Sequence, residues 1–297
     1  MTARFPLNHF LLAMLVVGIW GSNFVIIRFG LDSLPPLLFA CLRFVFAVLP
    51  AIFFLPRPDL PWLNLASYGV LSAAQFGLLF LAMRGHISPG LASLVLQAQV
   101  FFTLMLARRI SQERVQAYQW LALLLAGSGI AVIVVHTDGS VTVLGLLLIL
   151  AAAFFWASAN LVVKSAGRVN MLAYVVWTSA YAVPPLLLLS LLFEGPAVVA
   201  QALRQADLMT WGSVLSQSLG NALLGYGIWG WLLSRHAAAT VVPMSLAVPV
   251  IGMSTAAWIL GESLPGWKLL AAALVLGGLA LNLLWPQRRR LFAANAA

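Results

Sequence analysis

The sequence predicts an all-α membrane protein of ten transmembrane helices, built as two five-helix repeats inserted in opposite senses. Composition, charge spacing and an internal echo carry that prediction. Of 297 residues, 63% are hydrophobic and 8% charged, against roughly 25% charged in an ordinary soluble domain, so polar groups are too few for a water-exposed surface. The charges divide the chain into apolar segments, each near or above the ~20 residues that cross a hydrocarbon layer of roughly 30 Å.

These segments run 6–27, 35–55, 61–83, 87–107, 116–136, 141–163, 170–193, 209–233, 237–260 and 267–286. In the first, Arg4 precedes an uncharged run from Phe5 to Ile27, longer than the apolar core of a secretory leader, which predicts a retained span. The fourth lies within a run from Gly85 to Ala107 that holds no Asp, Glu, Lys or Arg. Connections are short and leave no soluble domain. The longest, about Glu194 to Leu208, carries Gly195 and Pro196 and has room for one surface turn of helix.

An even number of spans puts both termini on one side. With the N-terminus inside, the inner segments hold Arg4, Arg57, Arg108, Arg109, Arg114, Lys164, Arg168, Arg235, Arg288, Arg289 and Arg290; the outer loops hold Arg28, Arg84, Arg204 and Lys268. That excess predicts cytoplasmic termini. It also accounts for the net charge of +9 without nucleic acid, for which no basic, aromatic-interleaved face exists. Cys41 is the single cysteine, which rules out an intrachain disulfide or cysteine-cluster metal site and suits a small buried filler. His9, His86, His136 and His236 stand near segment ends, scattered rather than at ligand spacing.

The halves echo one another. At an offset of 136, Trp20-Gly21-Ser22-Asn23 faces Trp156-Ala157-Ser158-Ala159, with Asn160 one place on; at 149, Glu113 faces Glu262, Leu121-Ala122 faces Leu270-Ala271, and Gly129 faces Gly278. Five spans per repeat is an odd number, so the second copy (138–297) enters the bilayer opposite to the first (1–137). Inverted repeats are a common plan of secondary transporters, with binding near the midplane between them.

Trp20-Gly21-Ser22-Asn23-Phe24, Leu42-Arg43-Phe44 and Gly90-Leu91-Ala92-Ser93-Leu94 ahead of Glu113 resemble the EamA family of the drug/metabolite transporter superfamily, over essentially the whole chain. Gly225-Tyr226-Gly227-Ile228-Trp229-Gly230 and Ser245-Leu246-Ala247-Val248-Pro249-Val250 are similar to members that export O-acetylserine and cysteine. The resemblance implies a central cavity, with the fifth and tenth helices away from it. It departs at Gln112-Glu113, where the family has Gly before Glu, as Gly261-Glu262 keeps.

Uncharged polar groups within the spans are the candidate substrate contacts, because an unpaired amide in hydrocarbon costs on the order of 1 to several kcal/mol. Trp156 and Asn160 are four apart and share a helix face, echoing Trp20 and Asn23; tryptophan also serves as an interfacial anchor. Ser213, Gln217, Asn221 and Gly225 recur every four residues beside Tyr226, as a cavity face or as interhelical glue. Gln75 is their counterpart in the third span. Gln97 and Gln99 lie about 200° apart on an ideal helix, so at most one of them can point squarely into a central cavity, and Gln99 is preferred. Arg43, seven to eight residues into the second span, either pairs with a carboxylate or ties down helix-end carbonyls. Pro243 and Pro249 remove backbone donors inside the ninth span, as hinges or as static bends. Ala126-Gly127-Ser128-Gly129 and Gly277-Gly278-Leu279-Ala280 suit close helix contact.

The expected function is export of small amino acids and derivatives, cysteine- and O-acetylserine-like, by alternating access. Aromatic or other hydrophobic amino acids, or drugs, are the alternative cargo. An intramembrane enzyme would need a nucleophile with its base or a metal motif, and neither is present; a receptor fits the repeat poorly. No Asp or Glu stands mid-span, so proton relay through a midplane carboxylate is not expected. No cofactor is expected. The expected partners are a small amino-acid-like molecule and the lipid bilayer, for a monomer or homodimer.

Overall fold

The computed structural model describes residues 6–110, 116–136, 139–167, 169–236 and 238–295. Arg4, Glu113, Arg114 and Arg168, which entered the charge and repeat arguments, lie outside the described residues, as do the side chains of Arg288, Arg289 and Arg290.

The helices are α1 (Leu7–Ser33), α2 (Pro36–Val48), α3 (Trp62–Met83), α4 (Pro89–Val95), α5 (Gln99–Ile110), α6 (Ala117–Val135), α7 (Val143–Ser165), α8 (Met171–Phe193), α9 (Pro196–Gln205), α10 (Leu208–Leu215), α11 (Gly225–Arg235), α12 (Ala238–Val241), α13 (Ala247–Leu260) and α14 (Gly266–Asn295). Their starts are locally encoded. Pro36, Pro89 and Pro196 occupy first turns, where their missing N–H costs nothing. Thr142 Oγ1 accepts from Gly145 N at 3.0 Å, and Asn170 Oδ1 from Leu172 N at 3.1 Å. Asp207, outside the apolar segments, accepts from Thr210 Oγ1 at 2.6 Å and from Thr210 N at 2.8 Å; these hydrogen bonds, the hydroxyl's first, hold its carboxyl below the usual range.

Among the described residues, nine stretches are long and apolar enough to cross a membrane: Leu7–Ser33, Pro36–Phe53, Trp62–Met83, Pro89–Arg109, Ala117–Val135, Val143–Ser165, Met171–Phe193, Val242–Leu260 and Gly266–Trp285. Their outward faces carry Leu15, Leu124, Leu147, Leu188, Trp258 and Leu269, all exposed. So much apolar surface is tolerable only against lipid. The eighth apolar segment of the sequence is helical from Leu208 to Arg235 but is interrupted by a π-helical stretch, Ser216–Leu224. Two other segments are broken by 3₁₀ turns near the middle or start, at Leu96–Ala98 between α4 and α5 and at Val242–Leu246 between α12 and α13. The connection after Glu194 holds more than the single turn expected: α9 has ten residues.

Packing runs chiefly between the two halves of the chain. α14 lies along α6, α7 along α3 and α5, α8 along α2 and α3, and α13 along α1 and α4; α10, the π-helical stretch and α11 pack on α1. One continuous apolar core, from Phe24 and Phe39 to Ala271 and Leu279, joins them. At one end of the bundle, carboxylates from the second half cap helices of the first. Glu194 accepts from Leu37 N at 2.6 Å and Leu38 N at 3.0 Å. Glu262 accepts from Gly90 N at 2.9 Å and Ser88 Oγ at 2.5 Å. Negative charge at a helix start satisfies its unpaired N–H groups and opposes its dipole. Beside Glu262, Gly261 ends α13 with φ 67°, a left-handed turn that explains why glycine precedes the glutamate there.

Candidate functional site

A cavity of about 370 Å³ opens among α1, α3, α7, α11 and the two 3₁₀ breaks, large enough for a small metabolite. The broken helices place it. An α-helix consumes its own N–H and C=O groups, so a mid-bilayer site with backbone polarity requires an interruption, and the chain supplies one in each half. Val242 and Ser245 reach the cavity from the second break, as Leu96 and Gln97 do from the first.

Nine of the predicted contacts line this space: Trp20 and Asn23 on α1, Gln75 on α3, Gln97 and Gln99 at the first break, Trp156 and Asn160 on α7, and Asn221 and Tyr226 around the start of α11. Asn160 Nδ2 donates to Gln99 Oε1 at 2.9 Å and to Thr103 Oγ1 at 3.3 Å. Trp20 Nε1 donates to the Asn221 carbonyl at 3.2 Å, within the π-helical stretch. Trp20 also packs against Tyr226 and Trp229, with ring centroids 5.5 and 5.1 Å away. The result is an apolar, aromatic enclosure with amides on several sides.

Other expectations turn out differently. Gln97 and Gln99 both reach the cavity, because the 3₁₀ turn at Leu96–Ala98 tightens the winding between them and the 200° separation of an ideal helix does not apply. The four-residue stripe does not present one face: its spacing assumes an α-helix, and Ser216–Leu224 is π-helical. Asn221 lines the cavity, whereas Ser213 and Gln217 are buried and Gln217 Nε2 donates to Asn23 Oδ1. Gln217 therefore ties helices together behind the wall. Arg43 lies outside the main cavity, in a small adjoining pocket with its guanidinium 3.5 Å from the Phe76 ring centroid. Pro243 lies within the 3₁₀ break, in its first turn, and Pro249 just beyond it in the first turn of α13, so the helix is interrupted at the prolines and not merely kinked.

Trp229, Ser245, Val242 and Phe76 also line the cavity and were missed from sequence. For Trp229 a signal existed: it stands three residues beyond Tyr226, on the same helix face. The pairing of His9 Nδ1 with His236 Nε2 at 2.6 Å, at the end of the bundle where α1 starts and α11 stops, had none.

The profile of the EamA-like transporter family matches residues 8–135 and again residues 143–284. The chain belongs to the EamA-like transporter family. The EamA relatives include a probable amino-acid metabolite efflux pump of Salmonella typhimurium strain LT2, 43% identical over 94% of this chain and 96% of its own length. A protein of the same description from Escherichia coli K12 is 41% identical over 91% and 93%. More distant is an uncharacterized inner membrane transporter, YedA, of Escherichia coli K12, 30% identical over 57% of this chain and 59% of its own. A solved crystal structure shares the fold, with a TM-score of 0.65 over 95% of this EamA chain and 98% of its own, at 20% identity. The chain is thus a multi-pass membrane transporter of the EamA type, related to probable amino-acid metabolite efflux pumps.

Proposed function

We propose that this protein exports small amino acids and their derivatives, of the cysteine and O-acetylserine kind, by alternating access between two inverted halves, residues 1–137 and 138–297. The observation that carries the reading is the convergence of nine scarce in-span amides and aromatics on one cavity. A small zwitterion needs apolar walls with a few convergent donors and acceptors, and this enclosure offers both. The helical stretch from Leu208 to Arg235 is then the eighth of ten spans.

The packing supports the inversion. Numbering the spans in order, the pairs 3 with 6 and 1 with 8, 1 with 9 and 4 with 6, and 3 with 7 and 2 with 8 exchange under a swap of halves, while 2 with 7, 4 with 9 and 5 with 10 map onto themselves. A twofold relation between the halves produces such a set. The excess of Lys and Arg in one set of loops favours cytoplasmic termini. The cavity residues of α7 and α11 lie toward the end of the bundle where α1 begins, which in that orientation is the cytoplasmic end.

Six aromatic residues at the wall, Trp20, Phe24, Phe76, Trp156, Tyr226 and Trp229, favour a second reading in which the cargo is an aromatic amino acid. The test is counterflow in proteoliposomes preloaded with cysteine, O-acetylserine or phenylalanine. Accumulation of label driven by the first two supports the leading reading, and accumulation driven by phenylalanine alone replaces it. Binding without flux would mean a receptor.

A further inference from the structure

Arg43 is the one charged side chain of the second apolar segment, and the fold buries it to 2% exposure. At about 1.5 Å per residue, its place eight residues into α2 sets it roughly 11 Å from the helix start, too deep for the guanidinium to reach water along its own stem. Among the described residues it forms no ion pair, and its Nε has no hydrogen-bond partner. Its neighbours are the ring faces of Phe76 at 3.5 Å and Phe44 at 4.8 Å. Ring faces offset only part of the cost of holding a desolvated cation, and a buried charge without a counter-charge is strongly destabilising.

A small void of about 20 Å³ adjoins the guanidinium, with Tyr68, Ser72, Gln75 and Tyr226 around it. That is enough for one compact group, since about 10–15 Å³ measured this way admits a single water. A whole amino acid does not fit. Gln75, Phe76 and Tyr226 line both this void and the main cavity, so a carboxylate entering from the cavity side has a short path to the guanidinium. Hydroxyl and amide groups plus an uncompensated guanidinium are the donor set that holds a monoanion.

We propose that the void beside Arg43 is a monoanion site, occupied by chloride or by the carboxylate end of the cargo. The second source rests on the exporter reading; the site itself does not. Its occupant neutralises Arg43 and, by bridging α2 to Gln75 on α3 and Tyr226 on α11, couples the small pocket to the cavity wall.

The test is the thermal unfolding midpoint of the full chain in nanodiscs of zwitterionic lipid, titrated with sodium chloride, sodium acetate, cysteine or cysteamine. Ionic strength is balanced with HEPES, whose anion is too bulky for the void. A saturable rise with chloride in the wild type, abolished in Arg43→Met, assigns an inorganic anion. A rise with acetate and cysteine but not with chloride or cysteamine, also lost in Arg43→Met, assigns the cargo carboxylate. Arg43→Lys should keep the response at about tenfold weaker apparent affinity, the loss of one charge-assisted hydrogen bond. If Arg43→Met does not fold, Tyr226→Phe, which keeps the cation, should weaken the response several-fold. No saturable response in the wild type, or an equal one in Arg43→Met, overturns the site. Flux is measured separately: an anion response without flux sinks only the exporter reading, and flux without an anion response sinks only the site.

Discussion

Asn160 on α7 donates its side-chain N–H to Gln99 Oε1 at 2.9 Å, joining amides from the two halves of the chain across the cavity wall. The contrast is Gln217, fully buried, which donates to Asn23 behind the wall. Both pairs cross between halves, but only the first has both members facing the space a substrate would occupy.

Asn160→Ala should therefore lower transport about tenfold, the worth of one hydrogen bond to a polar ligand, while membrane expression and thermal midpoint stay near wild type. Gln217→Leu should behave the other way, costing about 1–3 kcal/mol of stability by leaving Asn23 Oδ1 without its donor. Parallel measurement of flux and unfolding separates the two. Equal loss of both properties in both variants would remove the distinction between wall and glue.

Glu262 and Lys268 form a second testable unit. Lys268 Nζ lies 3.1 Å from Glu262 Oε1 and 3.2 Å from the Ser263 carbonyl, with the lysine fully buried. Glu262→Ala removes the cap on α4 and strands a buried ammonium, at an expected cost of about 3–5 kcal/mol. Adding Lys268→Met should recover part of that loss, because the stranded charge disappears while the missing cap remains. A double-mutant cycle on unfolding midpoints measures the coupling; strict additivity would show the pair to be solvated in the membrane.

Close approach at Gly225 predicts a local effect on the cavity. A Cβ there would sit 2.5 Å from Trp20 Nε1, whereas at Gly220 the nearest neighbour is Ser216 Oγ at 3.7 Å. Gly225→Ala should push the indole off the Asn221 carbonyl, shift tryptophan fluorescence and reduce transport, with an overpacking cost of about 1–3 kcal/mol. Gly220→Ala should leave fluorescence and transport unchanged. A matched response of the two would mean that Trp20 has room to move.

Much of this architecture was legible in the sequence because hydrocarbon leaves few solutions: charge-free runs of about 20 residues must be helices, and the few amides within them must find partners. Most predicted segments match the observed helices to within a few residues; α1 and α14 run on to Ser33 and Asn295, and α2 stops at Val48, short of the predicted 55. What the sequence concealed was winding. A four-residue stripe at Ser213, Gln217, Asn221 and Gly225 reads as one face only if the helix stays α, and the π-helical stretch at Ser216–Leu224 undoes that premise. The same holds for Gln97 and Gln99 across a 3₁₀ turn. Glu194 and Glu262 were read as segment-end charges; their caps on α2 and α4 depend on contacts 157 and 172 residues distant, which local pattern does not encode.

Residues remote from the cavity should affect folding and leave the cavity alone, and the α6–α14 pair provides the clean case. A Cβ on Gly278 would meet the Ala122 carbonyl oxygen at 2.5 Å and Ala126 N at 3.1 Å, both backbone atoms of the facing helix, while one on Gly277 would meet nothing within 4 Å. Backbone cannot yield as a flexible side chain does, so Gly278→Ala must separate the helices and should cost about 1–3 kcal/mol. Gly277→Ala adds a methyl facing open space and gains helix propensity, up to about 1 kcal/mol. Neither α6 nor α14 contributes a residue to the cavity, so the fraction of Gly278→Ala protein that folds should transport at the wild-type rate per molecule. A variant that folds normally yet transports poorly would place this helix pair within the moving machinery instead of at its periphery.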